Sequence, residues 1–412
     1  MPFNVLESIT QEERFNFSQD FSVKRPGILD TIFPDVKTQY LKAEYYRLMA
    51  GQRLPEVAFV HALDTEAEIG TRPGFEKVLT EKLFIKRKIN QSERLQQAIE
   101  NGVPDNEALK NFVFDDAANL FEGVVARANV MKGQFLSTGA VKVKENNVEL
   151  NIDYGVPATA KVALTNWATP EADIMGDIQK MVAVAEDNGY VVNKALTSLK
   201  MINHMRNNTA MQTAVLGAAN KRLLTKQELA NLLMQEYGIT IDRCDEKFHF
   251  RKADGSLKTG RYFKEDVFTL YEADANGSFG TGLWGVTPEE LEYRQFIQEE
   301  NRSFVTLSMW ATQDPVAVWT KASGMFVPVA PKANGGIVIG TKGGITGHSL
   351  NVNSQSPSVA SVESKEPTHK YTESELSNMT VPQLRQLASD NGYALTSTNK
   401  AGIISEILVQ QG

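Results

Sequence analysis

The chain has 412 residues, 42% of them hydrophobic, and a formal net charge of −7. That is enough material for a sizeable core and two or three domains, and such mild acidity without a long basic block excludes a surface coated in cations for duplex nucleic acid. Cys244 is the single cysteine, which excludes an internal disulfide and a cysteine-rich zinc site and suits a reducing compartment.

The first segment, MPFNVLESITQEER, has polar residues where a signal peptide needs an apolar run. No stretch approaches the ~20 apolar residues of a membrane span, so the expectation is a soluble product made in the cytosol. Residues 1–40 hold no long period. Around RPGILDTIFPDV they carry short apolar bursts, Ile28, Leu29, Ile32 and Phe33, between two prolines. Such a segment is too short to bury itself and reads as an arm that lies on something else. In EVAFVHALDTEAEIGTRPGFEKVLTEKLFIKRKIN (56–90), Val57, Phe59, His61 and Leu63 alternate as a strand does, RPG at 72–74 marks a turn, and a second extended run follows. A lone hairpin is marginal in water, so this excursion should rest on a neighbour. The four cations of LFIKRKIN (83–90) read as one face of a strand or loop.

The next segment, DNEALKNFVFDDAANLFEGVVARANVMKGQF, is the strongest helix. Asp105 can cap it, and Leu109, Phe112, Val113, Leu120, Phe121, Val124, Ala128 and Met131 recur at three and four. About 27 residues give a rod of roughly 40 Å, longer than an ordinary domain helix, and Gly123 marks a close crossing or a bend. AVKVKENNVELNIDYG (140–155) is a hairpin about Asn146-Asn147, with Val141 and Val143 facing Val148, Leu150 and Ile152, and with Lys142 and Lys144 able to pair with Glu149.

VALTNWATPEADIMGDIQKMV (162–182) places Asp173 and Asp177 one helical turn apart behind a tryptophan. Paired carboxylates of this kind can hold a divalent metal, but a metal site wants more oxygen ligands, and no second acidic pair accompanies them. They read as a helix start: Thr169 as cap, Pro170 at the first helical position, Ile174, Ile178, Met181, Val182 and Ala185 as the buried stripe, both aspartates on its flank near the positive end of the dipole with Lys180 one turn on, and Asn188-Gly189 as the stop. Residues 190–243 read as helical, with a capping box TKQE at 225–228 and a stop at Tyr237-Gly238. Strands follow around Asp254-Gly255, with His249 facing solvent, and again in 304–331, with turns at Asp314-Pro315 and Ser323-Gly324. Helices and antiparallel strands in separate blocks make the class α+β.

From Lys332 the chain is glycine-rich, then serine-rich, and reads as a flexible linker. GGIVIGTKGG (335–344) resembles a phosphate loop only at a glance, because Thr341 precedes Lys342 and no helix pattern follows; GSFGTG (277–282) is no dinucleotide fingerprint either. The five histidines form no metal-spaced cluster, and no serine elbow is present. The last segment reads as helix, extended loop, helix: Thr380 and Gln383 form a capping box, Leu384 and Leu387 a short apolar face, and Ile403, Ile404, Ile407 and Leu408 a second one. The residues call for no cofactor and no metal.

The arm with RPGILDTIFP, the excursion with RPGFEKV, the spine-like helix, the hairpin ending in NIDYG and then VALTNWATPEADIMGDI together resemble the lambda-type major capsid proteins of tailed bacteriophages over about residues 20–330. The resemblance implies the Hong Kong 97 fold, with an N-terminal arm (1–50), an extended loop (51–92), a peripheral domain with a spine helix (93–160, joined by returning strands at 300–331), an axial domain (161–299), a linker (332–366) and a small all-α module (367–412). It implies no enzyme. It implies a shell subunit that forms hexamers and pentamers of an icosahedral head around double-stranded DNA, without sequence-specific binding and without a membrane, assembled in the host bacterial cytoplasm alongside scaffolding, portal and decoration proteins. The contacts between subunits are then expected at Arg25, Pro26, Ile28, Leu29, Ile32 and Phe33 of the arm and at Arg72, Phe75, Phe84, Lys86 and Arg87 of the loop.

The C-terminal module is similar to SAP-type and Rho N-terminal modules, whose members often bind nucleic acid. Here Arg385 and Lys400 are set against Glu373, Glu375, Asp390 and Glu406, which favours a knob on the outer surface. Two other functions stand beside the shell: a nucleic-acid-binding protein acting through this module, and a metal-dependent enzyme using Asp173 and Asp177.

Overall fold

The structure, a computed structural model, describes residues 27–48, 53–54, 57–58, 74–92, 106–145, 148–219, 222–251, 255–292, 304–313, 316–342, 377, 380–381, 383–384, 397 and 399–411. The chain divides into two units, Met1–Ser354 and Gln355–Gly412. In the first, a short helix α1 (Ile28–Ile32) leads into β1 (Asp35–Thr38) and β2 (Lys42–Leu48). Next come β3 (Phe75–Glu81), β4 (Leu83–Ser92) and the helix α2 (Asn106–Thr138). The hairpin β5 (Ala140–Glu145) and β6 (Val148–Asp153) precedes β7 (Lys161–Leu164), α3 (Ile174–Asp187), β8 (Lys194–Thr197), α4 (Leu199–Arg206), α5 (Thr209–Leu216) and α6 (Lys226–Tyr237). Strands β9 (Thr240–Arg243), β10 (Lys247–Arg251), β11 (Leu257–Arg261), β12 (Val267–Tyr271) and β13 (Thr281–Gly285) follow. The unit ends with α7 (Pro288–Glu292), β14 (Thr306–Gln313), β15 (Val316–Val329) and β16 (Ile337–Lys342).

Two five-stranded sheets carry the architecture. In the first, β15 is the common member: β4 pairs along residues 317–326, and β14 and then β13 pair with it in turn, with β1 parallel to β13 beyond. In the second the order is β7-β16-β12-β8-β9, with parallel pairs at both ends and antiparallel pairs in the middle. The sequence VFTLY of β12 is buried at every position, the pattern of a strand covered on both faces.

Helix α2 joins these layers. It runs 33 residues, about 50 Å at 1.5 Å per residue, longer than its apolar period indicated. Its stripe of Leu120, Val124, Ala128, Met131 and Phe135 is buried against β4 and β15, and its last turns meet β12 and β16. The closest approach is at Gly133, where a Cβ would stand 2.0 Å from the Tyr262 carbonyl oxygen. The expected crossing at Gly123 is looser: its neighbour is the guanidinium of Arg87, 3.3 Å from the Cβ position. Asp105 lies outside the described residues.

Several expectations hold locally. The β5–β6 hairpin sets Val141 against Ile152, Val143 against Leu150 and Lys144 against Glu149, whose charges are 3.2 Å apart; Lys142 faces Asn151 instead. Thr225 and Glu228 form the reciprocal capping box of α6, and Gly238 ends it in the left-handed conformation at φ 67°. Other expectations are corrected. Residues 190–243 are not wholly helical, since β8 and β9 lie at either end. Ser323-Gly324 is not a turn: β15 runs straight through it, and Gly324 leaves room for the Trp284 ring, 2.8 Å from the Cβ position. The linker does not begin at Lys332, because Ile337, Val338 and Ile339 are fully buried in β16; IVIGT is a short apolar run of the kind that fills a sheet interior.

In the second unit, α8 (Lys400–Gln411) begins at Asn399, whose side chain accepts from the Gly402 N–H at 2.8 Å. Leu384, Ile403 and Ile404 are buried, and Glu406 accepts from both the backbone and the hydroxyl of Ser397. The Gln383 side chain accepts from the Thr380 N–H at 2.9 Å, the backward half of the expected capping box.

Candidate assembly surfaces

Strands β2 and β3 form a two-stranded ribbon outside both sheets, with Lys42 opposite Glu81 and Leu48 opposite Phe75. The excursion was expected to pair within itself across residues 72–74; its returning strand β3 pairs instead with β2, upstream of it. Residues 59–73, including the alternating Phe59, His61 and Leu63, lie outside the described residues. Strand alternation gives the ribbon two unlike faces. One is held to its own subunit: Ala43 is buried, Tyr45 is half-buried, and Arg47 reaches Glu76 at 2.8 Å and the Tyr154 carbonyl at 2.6 Å. The guanidinium lies where Gly155, at φ +67°, has no Cβ. The other face presents Tyr46 (59% exposed), Phe75 (61%) and Leu79 (57%) around the Glu44–Lys77 ion pair at 2.6 Å.

This is part of a wider bias. Of thirteen exposed large hydrophobic residues among those described, nine fall between Val36 and Phe84. Isolated exposed apolar side chains need no explanation, but a concentrated patch marks a contact surface. On β4 the alternation turns Leu83, Ile85 and Ile89 to the core and Phe84, Lys86 and Lys88 outward. The Lys86 ammonium lies over the Phe84 ring at 5.4 Å and that of Lys88 over Trp319 at 4.2 Å, while Arg87 is exposed and leans on α2.

The arm expectation is corrected for three residues. Leu29, Ile32 and Phe33 are completely buried in their own subunit. Phe33 meets Phe135 edge-on at 5.7 Å and Phe279 at 6.4 Å, so the spine helix and the stretch before β13 cover what no neighbour need cover. Ile28 is half-buried against the same core. Arg25, Pro26 and Arg72 lie outside the described residues. The segment is also tied by charge: Lys132 of α2, wholly buried, stands 2.9 Å from both Asp30 and Asp35. Burial raises the Asp35 carboxyl above its ordinary value against the pull of Lys132. Further along, Arg53 lies over the Tyr190 ring at 4.1 Å and pairs with Glu272 at 2.8 Å, which fastens the outgoing end of the excursion.

The aspartate pair is a structural device. Asp173, not Thr169, caps α3, accepting from the Gly176 N–H at 3.0 Å. Asp177 is not on a solvated flank. It is 1% exposed, and its Oδ2 accepts from the Thr165 N–H (2.8 Å), the Thr165 hydroxyl (2.7 Å) and the Trp167 indole N–H (3.0 Å). It therefore knots α3 to the chain leaving β7. No group of three or more potential ligands that could hold a metal occurs among the described residues, and none of the described helices is long and apolar enough to cross a membrane. Sequence reasoning missed Tyr46 and Leu79. For Tyr46 the alternation of KAEYYRL was the available signal, obscured by its place in a stretch read as an irregular arm; for Leu79 it was that of FEKVLTE in the loop.

A family model described as phage major capsid protein E matches residues 26–336, so the chain belongs to that family. It is a capsid-forming structural protein of the phage particle, and its fold is α+β. Among solved structures it is similar to a prophage protein of E. coli CFT073 (11% identity, 82% of this chain and 96% of that one, TM-score 0.48). It is also similar to a phage-related protein from Bordetella bronchiseptica RB50 (12%, 79% and 95%, TM-score 0.47) and to the virus-like particle from Pyrococcus furiosus (12%, 82% and 98%, TM-score 0.39). No curated protein gives a significant match.

Proposed function

We propose that copies of this chain form hexamers and pentamers that close into the icosahedral head of a tailed phage around its double-stranded DNA, in the host bacterial cytoplasm, with scaffolding and portal proteins as partners. The observation that carries this reading is the outward face of the β2–β3 ribbon, where Tyr46, Phe75 and Leu79 are each more than half exposed. Obligate interfaces commonly bury more than about 2,000 Å² and resemble a divided core, and an apolar ribbon held at its base by Arg47 is a fitting donor of such area. Phe75, Phe84, Lys86 and Arg87 are the contact residues in this reading, joined by Tyr46 and Leu79. The sheet around β15 with α2 serves as the peripheral domain and the sheet around β16 with α3–α6 as the axial one. The role is structural rather than catalytic. The C-terminal unit, with its acidic balance, serves as an external knob.

Sedimentation and negative-stain microscopy test this. Wild-type protein should give closed shells or rings of five and six, and Tyr46→Asp/Phe75→Asp should remain in small species at the same concentration while melting like wild type. A double variant that assembles like wild type would refute the reading.

A further inference from the structure

The acidity of the chain conceals one basic region. Residues 243–264 carry seven lysines and arginines against three carboxylates, a local +4 in a chain of −7. They build the β10–β11 hairpin, a two-stranded sheet separate from both larger ones. Its register places Lys247, His249 and Arg251 on the same face as Arg261 and Thr259, while Phe248 and Phe250 point to the opposite face, where Phe248 packs on Tyr262 at 5.1 Å. Lys247 and Arg251 stand about 13 Å apart along the strand, with Arg261 directly opposite Lys247. Lys247 and Arg251 are exposed and have no carboxylate partner among the described residues. At the base of the hairpin the face continues into an open cleft of about 510 Å³, to which Lys200 and Arg243 also contribute. There Asp245 is already committed, to Arg243, to Arg261 at 3.2 Å and to the Leu199 N–H at 3.0 Å.

We infer that the cationic face of the β10–β11 hairpin and its cleft form a binding site for the sugar–phosphate backbone of nucleic acid. The composition separates this ligand from an acidic protein. Protein interfaces favour large aromatic side chains and are depleted in lysine; here the Phe248 and Phe250 rings face away, and lysine, arginine and threonine, which suffice for phosphate, face out beside His249 and Leu257. Lysine and arginine address phosphates rather than base edges, so binding is indifferent to sequence and works on duplex and single strand alike. Two cations without a carboxylate partner among the described residues make a weak contact per copy, measurable at low salt and strengthened when many copies bear on one strand. The site goes beyond the assembly reading and does not depend on it, since binding is measured on unassembled chain.

The test is fluorescence anisotropy of the full chain, below its assembly concentration, with a labelled random-sequence duplex. Binding should weaken with salt at a log–log slope of about −2, as expected for about two phosphates. Lys247→Glu/Arg251→Glu should lose affinity at least about tenfold at ~50 mM salt and flatten the slope. Lys247→Arg should keep both, and Lys142→Glu/Lys226→Glu, with the same change in net charge on exposed positions elsewhere, should bind like wild type. Absence of binding by wild type at low salt, equal losses in the two double variants, or an unchanged slope in the hairpin variant would overturn the inference. So would a hairpin variant that keeps its affinity for DNA but fails to assemble, which would give this face to a second copy of the chain.

Discussion

Two glycines on the spine helix α2 should respond to the same substitution with opposite signs. Alanine is favoured over glycine inside a helix by about 1 kcal/mol, so Gly→Ala stabilises wherever the methyl group has room. At Gly123 the nearest atom to the new Cβ is Arg87 Nη1 at 3.3 Å, the end of a flexible exposed side chain that can move aside. Gly123→Ala should therefore stabilise by about 0.5–1 kcal/mol. At Gly133 the new Cβ would lie 2.0 Å from the Tyr262 carbonyl oxygen and 2.6 Å from its carbonyl carbon. Backbone cannot rotate away, so the helix and the stretch after β11 must separate. They are fastened there by the Lys264 N–H to the Ser137 hydroxyl at 3.2 Å and the Thr269 hydroxyl to the Leu136 carbonyl at 2.9 Å. Overpacking costs about 1–3 kcal/mol, and a backbone clash belongs at the upper end. Offset by the helical gain, Gly133→Ala should be destabilised by about 2 kcal/mol. Urea unfolding of the unassembled subunit, followed by tryptophan emission, measures both variants against wild type. A Gly133→Ala protein as stable as Gly123→Ala would show that the helix does not make this approach.

Asp177→Ala should cost about 2 kcal/mol, because it strands the buried Trp167 indole N–H. Asp177→Asn, which keeps a carbonyl acceptor, should cost less, and neither loss should respond to chelators or added divalent metal; a metal-dependent difference in melting would restore the metal reading of the pair. Glu228 in the capping box of α6 is held down to about 2 by Arg222 and the Thr225 N–H, from an ordinary value of 4.5. Its folded-state value is depressed, so its contribution is present above pH 4.5 and is lost as pH falls towards 2. The stability difference between wild type and Glu228→Gln should shrink over that window, and a difference constant from pH 6 to 2 would contradict the assignment. The Cys244 thiol is buried, which pushes it up to about 12. Thiol reagents should label it only after unfolding, and stoichiometric labelling of native protein at neutral pH would refute its placement.

What the sequence shows follows how locally each feature is determined. The spine helix, the 140–153 hairpin and the Thr225–Glu228 box depend on residues within a turn or two of one another, so periodicity and cap chemistry reveal them. Strand β16 was hidden because IVIGT lies among glycines, whose abundance suggested a linker; only its pairing with β7 and β12 makes it interior. Ser323-Gly324 carries a turn composition, but its glycine serves the Trp284 ring, a partner that sequence spacing does not reveal. Asp177 looked like a flank residue because its three donors sit ten and twelve positions upstream, beyond helical reach. For the surfaces, the apolar bursts at Leu29 to Phe33 were visible, but not that the subunit's own spine covers them, whereas the neighbouring KAEYYRL keeps an uncovered face.

Strand β15 carries a consequence for the order of synthesis. Strands β4, β13 and β14 share it as a partner, and β7 and β12 are joined only through β16. Both connecting strands come last in the unit, so Asn90 waits for Trp319. At ribosomal speeds that wait is on the order of ten seconds or more, and pairing so distant in sequence is slow in its own right. A chain stopped short of residue 316 has neither sheet joined. The fold then works as a length check: only a subunit translated through both closing strands has its two sheets closed.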